Sequence, residues 1–182
     1  MKNLFSKIVL AVGIFSMIVS VYGTFLSPGA IEQKICFLVG AFGLTVTAFL
    51  NRHKMYSSLQ SIVVIGAVLS FFPFIKNEWK YIFMIIPSVV AVLYLLKVKY
   101  FSTDKWGVLA CVGLLALALG FATDGVEFPV LLNTFLLFAG LVLAIYSAIQ
   151  VFYYKIKIAW LWLILNAIFA INPAIFLFLG RA

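Results

Sequence analysis

Charge is what this chain has least of. Only 10% of its 182 residues are charged, and five are acidic. An ordinary soluble domain is about a quarter charged. Here 66% of residues are hydrophobic and the mean hydropathy is +1.22. A soluble core of this length cannot hide that much apolar surface from water. Disorder, secretion as a soluble domain and nucleic-acid binding are excluded as principal readings. Histidine is scarcer still: His53 stands alone, between Arg52 and Lys54. Axial haem ligation by two histidines of one chain is therefore excluded, and His53 reads as a solvated connector residue. The two cysteines, Cys36 and Cys111, lie in apolar stretches without a CxxC. They read as small buried hydrophobes, neither a disulfide nor a metal pair. P-loop, HExxH and acidic metal motifs are missing, and no cofactor is expected.

What the chain has is long apolar runs. A helical span needs about 20 apolar residues to cross the hydrocarbon. Seven runs qualify: Ile8 to Leu26, Ile35 to Leu50, Ser58 to Ile75, Tyr81 to Leu96, Trp106 to Ala122, Phe128 to Tyr154, and Ile158 to Leu179. Helices are expected, because lipid offers no partner to open backbone groups. The first run resembles a signal peptide but is long and lacks a small-x-small cleavage site. It reads as a retained span. Tyr81 to Leu96 is short and holds Pro87, so a kinked or protein-buried helix is expected there, with Lys80 and Lys97 snorkelling to cover the mismatch.

The charges sort with this threading. With the N-terminus inside, the inner side holds Lys2, Lys7, Arg52, Lys54, Lys97, Lys99, Lys105, Lys155 and Lys157 against Asp104 alone. The outer side holds Lys34, Lys76, Lys80 and Arg181 against Glu32, Glu78, Asp124 and Glu127. The whole net charge of +8 thus falls inside. That bias predicts seven spans in the cell membrane, with the N-terminus cytoplasmic and the C-terminus outside. It also predicts attraction of the inner face to anionic lipid.

Offsetting the chain against itself by 100 residues aligns Gly13 with Gly113, Gly40 with Gly140, Ala48 with Ala148, Ala67 with Ala167, and Pro73 with Pro173. The first three spans then match the last three, a candidate parallel repeat of residues 1–80 and 101–182 with the fourth span as connector. In so apolar a chain, chance identities are the competing account. Pro73 and Pro173 are expected to loosen the outer ends of their helices. The three-one-three plan is similar to that of the SWEET sugar transporters and the PnuC vitamin-precursor transporters. The stretch Trp160-Leu-Trp162-Leu-Ile-Leu-Asn166 resembles the Trp-rich, Asn-containing helix of PnuC proteins, with a different Trp spacing. Hydropathy also resembles that of small HdeD-like membrane proteins. The tail from Trp160 to Arg181 resembles uncharacterised bacterial multi-pass proteins ending in a Trp-rich, Asn-Pro helix.

No Asp, Glu, Lys, Arg or His falls inside an expected span. That argues against a proton relay, a carboxylate ion site or a voltage sensor. Serines such as Ser16, Ser20, Ser70 and Ser147 have no intramembrane base, so a nucleophilic dyad cannot be built. A non-enzymatic protein is expected. The remaining polarity is neutral and lies late in the chain: Asn133, Tyr146, Ser147 and Gln150 in the sixth span, Trp162, Asn166 and Asn172 in the seventh. Trp162, Asn166, Ala170 and Ala174 share a helix face. Asn166 is expected to face the sixth span within reach of Tyr146 or Ser147. Packing glue and a neutral-solute pocket both account for such a pair. Candidate binding residues are Asn166, Trp162, Tyr146, Ser147, Asn133 and Asn172. Small-residue stripes (Ser16-Ser20-Thr24, Gly66-Ser70, Gly140-Ala144-Ala148) suit internal seams or an oligomer interface.

The sequence therefore predicts one all-α polytopic domain, residues 1–182. Its first functional reading is an accessory or structural membrane protein, with a homo-oligomer or membrane-complex partner. The second is a small facilitator of a neutral or weakly polar solute, and the third a lipid-binding protein.

Overall fold

The computed structural model describes residues 2–156 and 159–180, with side chains from residue 7 onward. Lys157, Ile158 and Arg181, and the side chain of Lys2, lie outside the described residues. The described chain is all helix and turn: α1 (Lys2–Gly23), α2 (Ile31–Leu50), α3 (Lys54–Leu69), α4 (Asn77–Lys97), the one-turn α5 (Tyr100–Thr103), α6 (Gly107–Ala122), α7 (Pro129–Phe152) and α8 (Ala159–Leu179). By length and composition α2, α4, α7 and α8 can cross a membrane; Lys7–Gly23, α3 and α6 are apolar but shorter. Four of the seven expected spans thus reach crossing length. Large apolar side chains stay exposed around the bundle, among them Phe15, Phe42, Ile86, Val90 and Phe138. An apolar surface of that extent suits lipid and not water.

Six helices form a ring in chain order. α1 packs on α2, α2 on α3, α3 on α6, α6 on α7 and α7 on α8, and α8 returns to α1. α4 stands outside, against α3 and α6. The two closing seams differ. α3 and α6 meet backbone to backbone: a Cβ on Gly66 would sit 2.3 Å from the Ala118 carbonyl oxygen. Only a glycine permits that approach. α1 and α8 touch far less, and their polar link is Asn172 Nδ2 donating to the Thr24 carbonyl.

The small-residue stripes are consumed inside the chain. Ser16 and Ser20 face Gly43 and Gly40 of α2, and Gly140 faces Ala170 of α8. The same glycines divide the repeat. Gly13 meets Thr47 on the next helix, as Gly113 meets Leu143 on the next helix; Gly40 packs back onto α1, whereas Gly140 packs forward onto α8.

Three expectations need correction. The third span does not run to Ile75: α3 stops at Leu69, and Pro73 sits in the turn beyond it. It therefore loosens nothing in α3, and its match with Pro173, inside α8, fails structurally. Of the two alternatives for α4, kinked or protein-buried, the second fails, since Ile86 is 69% exposed and Val90 61%. Its helix runs through Pro87, and Ser88 Oγ donates back to the Met84 carbonyl at 2.6 Å. Lys80 does not snorkel, because its side chain is 0% exposed.

Candidate functional site

Three groups of polar side chains stand out among the described residues, with Gln60 of α3 buried apart from them. At one end of the bundle, α5 and the turn into α6 place Asp104 against the C-terminal part of α7. Asp104 Oδ1 accepts from the backbone N–H groups of Trp106 and Gly107, each at 3.1 Å. Those are orphan donors of a helix start, which favours a carboxylate there. Tyr146 Oη donates to Asp104 Oδ2 at 2.6 Å, with Tyr100 Oη at 3.2 Å and Gln150 Nε2 at 3.4 Å. Tyr154 Oη reaches Oδ1 at 3.4 Å. Tyr146 and Gln150, four residues apart on α7, share one face, and Tyr154 lies in the bend just beyond that helix. The short Tyr146 contact is a charge-assisted bond. His53 lies beside this hub, its ring 4.6 Å from that of Tyr56 and 6.4 Å from that of Tyr100. Burial raises the Tyr100 phenol above its ordinary pKa, and the Asp104 charge adds to that. Desolvation lowers the pKa of His53, against the opposing pull of Asp104.

Within two turns of the same ends of α7 and α8, Asn166 Nδ2 donates to Ser147 Oγ at 3.2 Å, and Ser147 in turn donates to the Leu143 carbonyl at 2.8 Å. Asn166 and Ser147 are both buried. Trp162 is half-buried against the core. Tyr146, adjacent in sequence to Ser147, turns away from Asn166 toward Asp104.

At the opposite end, Asn133 and Asn172 line a cavity of ≈ 200 Å³ with Thr24, Pro28 and Phe176. Asn133 Nδ2 is held by the Pro129 carbonyl at 2.8 Å. The six candidate residues therefore divide among three places and form no single pocket. A second cavity of ≈ 300 Å³ lies between α4 and α6, lined by Tyr81, Met84, Ser88 and Leu119 among others, and is apolar. Neither cavity touches Asn166 or Trp162.

That end also carries buried amides and charges. Gln33 Oε1 accepts from Gly29 N at 2.8 Å, and its Nε2 donates to the Gly23 carbonyl at 3.2 Å. The α1–α2 turn is so pinned that Gly29, at φ +77°, lies against Gly125 and Val126. Asn77 Oδ1 accepts from Asp124 N at 3.0 Å, and Asp124 Oδ1 from Val126 N at 3.0 Å. Tyr81 Oη lies 2.8 Å from Thr123 Oγ1. Thr123 spends its proton on the Leu119 carbonyl at 2.8 Å, so Tyr81 is the donor.

Asp104 and Lys80 are the residues that sequence reasoning missed. Asp104 had a signal: an acid two residues before a helix start, in a connector otherwise basic, is a capping pattern. The every-fourth-residue row Tyr146, Gln150, Tyr154 pointed at the same end. Lys80 had none, since a lysine between Trp79 and Tyr81 looks like an interfacial anchor. Among the described residues no group of three or more His, Cys, Asp or Glu side chains could hold a metal. Cys111 is buried and Cys36 half-buried, and both are free. The comparisons found no matching protein family, curated protein or solved structure.

Proposed function

We propose that the chain is a seven-crossing, non-enzymatic integral membrane protein that works as a packed accessory or structural subunit. The observation that carries this reading is that the buried polar pair on the α7–α8 seam is spent within the bundle. Asn166 is taken by Ser147 and Ser147 by Leu143, and the two cavities lie elsewhere. Among the described residues one buried acceptor near that depth, Gln60 Oε1 of α3, has no partner, whereas a solute path would need several convergent polar groups. α1, α3 and α6 are counted as crossings because their ends alternate with those of the four longer helices. Asn172 of α8 meets Thr24 at the end of α1, and Asp124 after α6 meets Asn77 at the start of α4. Charge bias then puts the Asp104 end in the cytoplasm and the Asn172 end outside. Snorkelling flanks and local thinning of the bilayer accommodate the shorter helices. The basic inner face, with Arg52, Lys54, Lys97, Lys99, Lys105 and Lys155, would draw anionic lipid.

The stripes of small residues are used within the chain, so a partner or second copy would dock on the outward apolar surface. Stoichiometric co-purification of another membrane protein from native membrane supports the subunit reading; recovery of the chain alone, with solute flux in liposomes, defeats it. A small facilitator of neutral solutes is the second reading, favoured by the Asn133–Asn172 cavity. Liposome uptake that is abolished by Asn172→Leu and kept by Asn166→Leu would favour it.

A further inference from the structure

The unspent polar side-chain atoms of the described residues are of two kinds. Gln60 Oε1, Asn77 Nδ2 and Lys80 Nζ have no partner and are sealed from water. Nothing can reach them, so they bind nothing. Asn133 and Asn172 differ. Asn133 Nδ2 donates to the Pro129 carbonyl at 2.8 Å, and Asn172 Nδ2 to the Thr24 carbonyl. Each amide has thereby spent an N–H, while its Oδ1 accepts nothing from the described residues. Neither oxygen is sealed in. The space they meet is the ≈ 200 Å³ cavity that both residues line. Asn133 is only 3% exposed, so little besides the cavity can reach its oxygen.

The lining selects its occupant. Amide oxygens accept and do not donate, so the occupant must bring O–H or N–H groups. No charged side chain is among the described lining residues. A cation there would lose hydration without gaining a counter-charge, which favours a neutral molecule. Phe25 and Phe176 line the same space and offer apolar faces to C–H groups, the mix of rings and few polar groups that small-molecule pockets use. At roughly 30 Å³ per liquid water, the cavity holds about six waters, or a solute of about six non-hydrogen atoms. It lies between the α1–α2 turn, α7 and α8, where α1 and α8 close the ring loosely. An occupant there would brace a seam whose polar link is the Asn172–Thr24 bond.

We propose that this cavity binds a small neutral polyol of about glycerol size. Its hydroxyls donate to Asn133 Oδ1 and Asn172 Oδ1, and its C–H faces lie against Phe25 and Phe176. This rests on the facilitator reading for its cavity and names a ligand class for it, but it claims binding and not passage. The test is thermal unfolding of the full chain, purified without glycerol in a detergent that has no sugar headgroup, titrated with glycerol. A saturable rise in midpoint is expected, because a ligand held only by the folded form stabilises it. Sucrose, too large for the cavity, controls for the general stabilising effect of excluded osmolytes. Asn133→Leu should weaken the apparent glycerol affinity by about tenfold or more, the equivalent of one good hydrogen bond. A flat glycerol titration overturns the proposal, as does a rise that sucrose matches or that Asn133→Leu retains in full. If Asn133→Leu does not fold, unchanged glycerol affinity in Asn172→Leu overturns it. Glycerol uptake into liposomes is read separately. Saturable binding without uptake supports this inference and defeats the facilitator reading; uptake without saturable binding does the reverse.

Discussion

The two ends of the bundle solve opposite electrostatic problems. At the Asp104 end one acid sits among many cations, yet its carboxylate is bonded by backbone and side-chain donors from α5, α6 and α7. At the Lys80 end one ammonium is enclosed and makes no hydrogen bond among the described residues. The first arrangement is a hub, in which a single side chain gathers separate elements. The second end holds together through backbone approach: Gly66 on Ala118, and Gly29 on Gly125 and Val126. A half-buried carboxylate with its donors supplied contributes to stability. An enclosed ammonium without partners costs stability, and groups that cost stability in a membrane protein tend to be kept for function.

The largest expected effect tests the hub. Asp104→Ala strands the buried Tyr146 hydroxyl and uncaps the start of α6. Hydrogen bonds to a charged group are worth about 1.5–3 kcal/mol each in net terms, so a loss of about 3 kcal/mol is expected. Asp104→Asn should lose less, because an amide oxygen still caps α6. Denaturant unfolding in mixed micelles measures both; equal stability of Asp104→Ala and wild type would show that the ends do not differ in this way.

Next comes the backbone seam of the opposite end. Gly66→Ala places a methyl 2.3 Å from the Ala118 oxygen. Neither atom is on a flexible side chain, so α3 and α6 must separate, at about 2 kcal/mol. The same unfolding measurement reads it. A neutral result would show the α3–α6 seam to be as forgiving as the loosely closed α1–α8 seam.

The contrast also explains which parts of the molecule are legible in the sequence. Helix identity and order follow from apolar runs, because lipid leaves the backbone no alternative. The Asn166–Ser147 pairing follows from the antiparallel register of two helices joined by a short turn. Helix ends resist that logic: α3 stops at Leu69 and the chain turns ahead of Pro73, whose ring and missing N–H disfavour helix at and before it, while the apolar run continues to Ile75. The fates of Tyr146 and Lys80 were settled by helices distant in sequence. Tyr146 chose an acid from the turn before α6 over its neighbour Asn166. Lys80 was turned inward by packing of α4 on α3 and α6. Neither choice leaves a trace in local composition.

A smaller effect is expected at the α7–α8 seam. Asn166→Leu removes a bond to Ser147, but Ser147 keeps its contact with the Leu143 carbonyl. Nothing is left stranded, so the cost should be about 0.6 kcal/mol, the average for interhelical bonds in a membrane bundle. A loss comparable to that of Asp104→Ala would mean that the α7–α8 seam matters as much as the hub beside it.

The smallest effect is a pH slope at the hub. His53 is crowded by the Tyr56 and Tyr100 rings and flanked by Arg52 and Lys54. Desolvation holds its pKa below the ordinary 6.5, although Asp104 pulls the other way. A base whose folded pKa is lowered binds its proton more readily when unfolded. Stability from this residue is therefore complete above about pH 6.5 and declines as the pH falls below it. His53→Gln should flatten that part of the stability profile while leaving the value at pH 8 unchanged. If acidification instead stabilised wild type relative to His53→Gln, the attraction of Asp104 would outweigh desolvation, and the hub would be a site that recruits charge instead of one already satisfied.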